Sequence, residues 1–292
     1  MENSIPSHIV DSHHHIWQLD TGLYSWLTAD ISPLYRDFSI ADYQQVATQS
    51  MGATTQLHTV LVQASPTDEE TDFLLAQAAL EPTVTGVVGW VDFEQDSKAV
   101  CARLTTLAAN NVFKGVRPML QDIDDIDWVL RPGFAPIFNQ LIRLNLSFDA
   151  LCRVEHLPSI YQLAKRYPDL PIVIDHCAKP CIEKGQYTQW AAAIAPFSTL
   201  PNVYVKASGL TLEATKTQQQ PSHFSAYFAH LTSIFGATRI MWGSDWPVVN
   251  INSDYAGWLG ICQQLVASWD ESDKARFWSG TAREFYNLGV LK

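Results

Sequence analysis

The stretch "VDSHHHIW", Val10 to Trp17, sets three consecutive histidines behind an aspartate, between apolar flanks that a polar purification tail would lack. On an extended strand side chains alternate between two faces, so Asp11, His13 and His15 are expected on one face and Ser12 and His14 on the other. Two imidazoles spaced as H-x-H cannot by themselves close a tetrahedral shell around a divalent cation such as zinc. Two further N or O donors must come from elsewhere in the chain. "VIDHCAKP" offers His176 for this and "RIMWGSDWPV" offers Asp245.

Donors so far apart in sequence meet only if the fold gathers strand ends. Short β-rich apolar runs begin near His8, Thr55, Val84, Phe113, Asn145, Pro171, Asn202 and Arg239. Between them lie segments of helical periodicity, such as "TDFLLAQAALE" and "FSAYFAHLTSIFG", several opening on a capping residue or Pro and closing on Gly, Asn or Pro. Strand-helix alternation implies parallel strands joined by crossovers. Eight such units in 292 residues give an α/β fold of the (β/α)8 TIM-barrel type, read as a single domain over 1–292. In such barrels the reactive groups stand at the C-terminal strand ends. The polar or aromatic candidates there are His13 and His15, then Gln63, Trp90 with Asp92, Arg117, Asp149, Asp175 with His176, Lys206 with Ser208, and Asp245. The Tyr-, Trp- and Pro-rich segment from Gln18 to Phe38 is too long for an ordinary loop and reads as a lid. The tail "ESDKARFWSGTAREFYNLG" reads as a closing helix, with Phe277, Trp278, Phe285, Tyr286 and Leu288 as its apolar positions.

Composition narrows the function. Nineteen Lys and Arg against thirty Asp and Glu give a net charge of −11, a field that repels phosphate backbones. A nucleic-acid partner is therefore not expected, and a small molecule is. With 47% hydrophobic residues and no apolar run near the roughly 18 to 20 residues of a membrane span, no membrane association is expected. Five scattered cysteines without C-x-x-C spacing suit a reducing compartment and argue against a thiolate zinc site. Together with the lack of a signal peptide they point to the cytoplasm. The oligomeric state is not set, and a homo-oligomer is allowed.

"VDSHHHIW", "FKGVRPML", "VIDHCAKP", "VKASGL" and "RIMWGSDWPV", in this order over essentially the whole chain, resemble the amidohydrolase-2 branch of the metal-dependent hydrolase superfamily. The likeness is to its sugar-lactone hydrolase group, with fuconolactonase, rhamnonolactonase and pyrone-dicarboxylate lactonase types. The resemblance implies a distorted TIM barrel and carries the metal or catalytic roles to His13, His15, His176 and Asp245. Arg117 stands where a bridging Lys or Glu of two-metal members would, and "NLSFDALC" has no fifth-strand histidine, so one divalent ion, zinc foremost, or none is expected. Lactone opening would then use Asp245 to take a proton from water and return it to the ring oxygen. A zinc, or the three imidazoles without one, would polarise the carbonyl. Arg117 and Lys206 are expected to hold the lactone's oxygens, Gln63 to add a neutral contact, and Trp26, Trp90 and Trp246 to wall the sugar-like ring. Few cations converge at the mouth, which favours a polyhydroxylated mono-acid lactone over a dicarboxylate. The competing readings are a decarboxylase of the same superfamily, which would want the missing fifth-strand histidine, a phosphodiesterase, and a barrel that binds metabolites without turning them over.

Overall fold

Valine- and isoleucine-rich runs such as "TVLV" and "IVI" have the stiff branched side chains that favour extended backbone, and each becomes a strand buried on both faces. The computed structural model describes residues 6–52 and 54–289. Among them are β1 (His8–His14), β2 (Gln56–Val62), β3 (Val84–Gly89), β4 (Phe113–Val116), β5 (Ser147–Ala150), β6 (Ile172–Ile174), β7 (Val203–Ala207) and β8 (Ile240–Trp242). They pair in parallel in sequence order, and β8 returns to β1. There Asp245 N donates to His13 O at 2.8 Å and His15 N to Trp246 O at 2.7 Å. The result is a nearly closed eight-stranded barrel with helices between the strands, and its strands begin within two residues of the expected positions.

The helices start where the sequence supplies caps. Ser39 and Asp42 form a reciprocal capping box at α1 (Ile40–Met51), and Thr67 caps α2 (Asp68–Leu80). The tail folds as Glu271–Ala275 and Thr281–Phe285 joined by a π-type turn, and all five expected apolar positions, Phe277 to Leu288, are buried. No helix among the described residues is long and apolar enough to cross a membrane.

One local expectation fails. Simple alternation put Asp11 beside His13 and His15, yet the register against β2 shifts between Asp11 and His14, adding a residue to β1. Asp11 therefore faces α1, where it accepts from Tyr43 Oη at 2.9 Å, on the same side as His14. His14 stacks on the Tyr43 ring at 3.9 Å between centroids, away from the barrel mouth.

Candidate active site

At the C-terminal end of the barrel, three imidazoles surround one carboxylate oxygen. Asp245 Oδ1 lies 3.5 Å from His15 Nε2, 3.7 Å from His13 Nε2 and 3.9 Å from His176 Nε2. His15 is oriented by its other ring nitrogen, which donates to Val62 O at 2.7 Å and so leaves Nε2 as a lone pair. His176 Nδ1 meets Ser208 Oγ at 2.9 Å. Beside it Gly209, at φ +66°, leaves no room for a side chain, because a Cβ there would sit 2.5 Å from His176 Nδ1. The chain after β6 turns through four consecutive non-glycine residues in the left-handed region, His176 to Lys179, with φ between 52° and 60°. Asp245 is also left-handed, at φ 58°. Such backbone is costly for residues with a Cβ and collects at functional sites.

Burial sets the protonation. It holds His13 well below the usual histidine range, with Lys206 adding to the effect, lowers His15, and pushes His176 down to about 4. Burial alone would raise Asp245, but His176, His15 and Lys179 outweigh it and keep the carboxyl below its usual range. Near neutral pH the centre is therefore three neutral imidazoles about an ionised carboxylate. That combination is able to hold a cation or orient a water.

A second charged layer lies beneath. The ammonium of Lys206 is fully buried: it donates to Asp149 Oδ2 at 2.7 Å, forms an ion pair with Asp175 Oδ1 at 3.0 Å and lies 3.2 Å from His13 Nδ1. Asp149 also accepts from Tyr286 Oη at 2.6 Å and from Ser147 Oγ at 2.9 Å. Arg117 Nη1 reaches Asp175 Oδ2 at 3.3 Å and His13 Nε2 at 3.4 Å, and these cations hold Asp175 well below the usual carboxylate range despite its burial.

Above this layer opens a cavity of about 450 Å³ whose wall includes His15, Trp26, Arg117, His176, Lys179, Glu213 and Asp245. Its size suits a small ligand. Of the expected substrate contacts, Arg117 and Trp26 are there. Trp26 reaches the wall because its Nε1 donates to Ala64 O at 2.7 Å, tying the Gln18–Phe38 segment to the loop after β2. The other expected contacts lie elsewhere. Lys206 is in the lower layer, its ammonium held by Asp149 and Asp175, since strand alternation fixes a side chain's face but not its depth in the barrel. Gln63 is buried against Arg117, its Nε2 donating to Arg117 O at 2.6 Å. Trp246 is buried among Phe38 and Tyr43, and Trp90 is not part of the wall. Sequence reasoning missed Glu213 and the wall residue Gln121, which sit in irregular loops without periodicity. It placed Asp175 beside His176 at the end of the sixth strand but gave it no role.

Fold and site together define a (β/α)8 barrel with an imidazole and carboxylate centre at its C-terminal mouth. The chain belongs to the amidohydrolase family: the family model described as Amidohydrolase matches residues 10–288. An L-fucono-1,5-lactonase of Burkholderia ambifaria is 38% identical over 283 residues, covering 96% of this chain and 95% of that one. An L-fucono-1,5-lactonase of Burkholderia multivorans is 30% identical, with 96% of each chain covered. Among solved structures, an amidohydrolase from Burkholderia multivorans with bound zinc superposes with a TM-score of 0.87 at 28% identity, covering 96% of this chain and 99% of that one.

Proposed function

We propose that this chain, acting as one barrel domain, is a lactonase that opens the ester of a small sugar-acid lactone with an activated water. The observation that carries the reading is the ionised Asp245 carboxylate ringed by imidazoles at the cavity in the barrel mouth. Both Burkholderia relatives bear the name of that activity. Asp245 orients a water and takes its proton as the oxygen attacks the lactone carbonyl. His176 and the Arg117 guanidinium face the same space and stabilise the charge that gathers on the carbonyl oxygen. When the tetrahedral adduct collapses, the ring C–O bond breaks, and Asp245 returns the proton to the departing oxygen. The product is the open hydroxy acid, and the carboxylate is regenerated.

The same donor set fits a metal. Ligands about 2.0–2.1 Å from a tetrahedral ion lie roughly 3.4 Å apart, and the three imidazole Nε2 atoms stand 3.5–3.9 Å from Asp245 Oδ1. His13, His15 and Asp245 converge as a possible ligand group with their ligand atoms within 4.8 Å of one another, and His176 is the fourth donor, outside that limit. His13, His15, His176 and Asp245 would hold one divalent ion, zinc foremost, which when bound supplies Lewis acidity toward the carbonyl. A second ion is disfavoured, because Asp175, the carboxylate that converges with His13 and His176, is already engaged by Lys206 and Arg117. The decarboxylase alternative gains no support: β5 carries Asp149, engaged by Lys206 and Tyr286, where an imidazole would be wanted.

Asp245→Asn keeps the shape and loses the base. On a panel of aldonolactones followed with a pH indicator, kcat is expected to fall on the order of 10²-fold or more. Near wild-type turnover by the purified variant would sink the assignment.

A further inference from the structure

The left-handed turn that delivers His176 to Asp245 ends on Lys179, so one strained segment supplies two residues of the cavity wall. The Lys179 ammonium donates to Gln121 Oε1, another wall residue. Glu213, from the loop after β7, lines the same cavity, half-buried. Its backbone is fixed, with Glu183 N donating to Glu213 O at 2.8 Å, yet its carboxylate has no hydrogen-bond partner among the described residues. Lys179 and Glu213 lie near enough to influence each other's charge, but they form no ion pair within 4.0 Å. A donor-only head and an acceptor-only head thus flank one space without satisfying each other. A hydroxyl satisfies both at once, accepting from the ammonium and donating to the carboxylate.

Charge narrows the choice further. The cavity wall carries three carboxylates, Asp122, Glu213 and Asp245, against two cations, Arg117 and Lys179. A substrate carboxylate lodged near Glu213 would meet a half-buried like charge, a strong means of rejection.

We propose that Lys179 and Glu213 form a hydroxyl-recognition subsite that grips the sugar ring and excludes lactones bearing a carboxylate. The inference rests on the lactonase reading and assigns its specificity: an uncharged polyhydroxy lactone, with these two residues setting ring position.

The test compares wild type, Glu213→Gln and Lys179→Met on uncharged aldonolactones, on ring-deoxygenated analogues lacking single hydroxyls, and on aldarolactones that carry a free carboxylate. Folding of each variant is checked by thermal unfolding. For the preferred aldonolactone, each substitution is expected to raise KM about tenfold with kcat changed by less than threefold, the scale of one charge-assisted hydrogen bond lost. At least one deoxygenated analogue should be indifferent to Glu213→Gln, a result that a merely structural role would not produce. Glu213→Gln should also narrow the preference for aldonolactone over aldarolactone. Unchanged KM in both variants, or a wild-type preference for the aldarolactone, would overturn the subsite while leaving the lactonase reading standing. If wild type opened none of these lactones, the lactonase reading itself would fall and take the subsite with it.

Discussion

Gly209→Ala is the sharpest single perturbation of this site, because a close match exists to control for it. Gly209 and Gly185 have nearly the same left-handed backbone, φ +66° and +64°, so alanine at either should cost about 1–2 kcal/mol in backbone strain. They differ in space. Around Gly185 nothing lies within 4 Å of an added Cβ, whereas at Gly209 the Cβ would stand 2.5 Å from His176 Nδ1 and 2.6 Å from Cγ. Ordinary contact begins near 3.4 Å, so the His176 ring must retreat by about 0.9 Å, or the Gly209 loop must move away by as much. A displacement of that size at a reacting group costs on the order of 10²-fold in rate. The expected pattern is comparable destabilisation of both variants by urea denaturation, with kcat for lactone opening collapsing only in Gly209→Ala. Equal activity in the two variants would refute the claim that the glycine exists to seat His176.

Further expectations concern the charged layers and the metal. Lys206→Met would leave Asp149 and Asp175 buried without their shared cation, and should destabilise the fold by about 3–5 kcal/mol in urea titrations; a loss under about 1 kcal/mol would mean that the pair is not held as charges. Glu70 is fully buried where it accepts from Ala64 N and Ser65 N, and burial pushes its carboxyl from near 4.5 up to about 7. The folded state therefore keeps a proton that the unfolded chain has lost. Its contribution is full below about pH 4.5 and fades as pH rises through 7, a change of about 3 kcal/mol that Glu70→Gln should remove from the stability profile; an unaltered profile in the variant would contradict this. Elemental analysis of protein purified without chelator should find no more than one divalent ion per chain, and two tightly held ions required for turnover would revive a binuclear centre.

Much of the barrel was legible because strand runs such as "TVLV" and "VVG" are short, branched and separated by capped helices, and parallel order follows from that alternation. The groups around Asp245 Oδ1 were legible because His13, His15, His176 and Asp245 stand at strand ends, and a closed barrel has only one mouth at which those ends converge. What failed to show was local geometry. The register shift in β1 turned Asp11 outward, and nothing in "VDSHHH" announces an extra residue. Lys206 alternates onto the correct face yet lies a layer too deep, because depth depends on the barrel's stagger, which one strand's sequence does not encode. Trp246 fills a core position against Phe38, as large aromatics commonly do. Glu213 belongs to a loop without periodicity, and its place on the cavity wall follows only from the path the chain takes after β7.

The turn from His176 to Lys179 carries the least legible feature of all. "HCAKP" contains no glycine, so local preference opposes the left-handed backbone it adopts. At about 1–2 kcal/mol per residue, four such residues strain the chain by roughly 4–8 kcal/mol, a large share of the 5–15 kcal/mol by which a domain is ordinarily stable. The surroundings must then over-determine the turn, and they do. Trp190 Nε1 donates to Cys177 O at 2.7 Å, the Cys177 thiol to Lys206 O at 3.3 Å, and Lys179 N to His176 O at 2.8 Å, all against a fully buried Cys177 and Ala178. A right-handed turn here would send the His176 and Lys179 side chains in other directions. The fold thus tolerates strain where the His176 imidazole and the cavity-wall ammonium of Lys179 leave the same strand end within four residues.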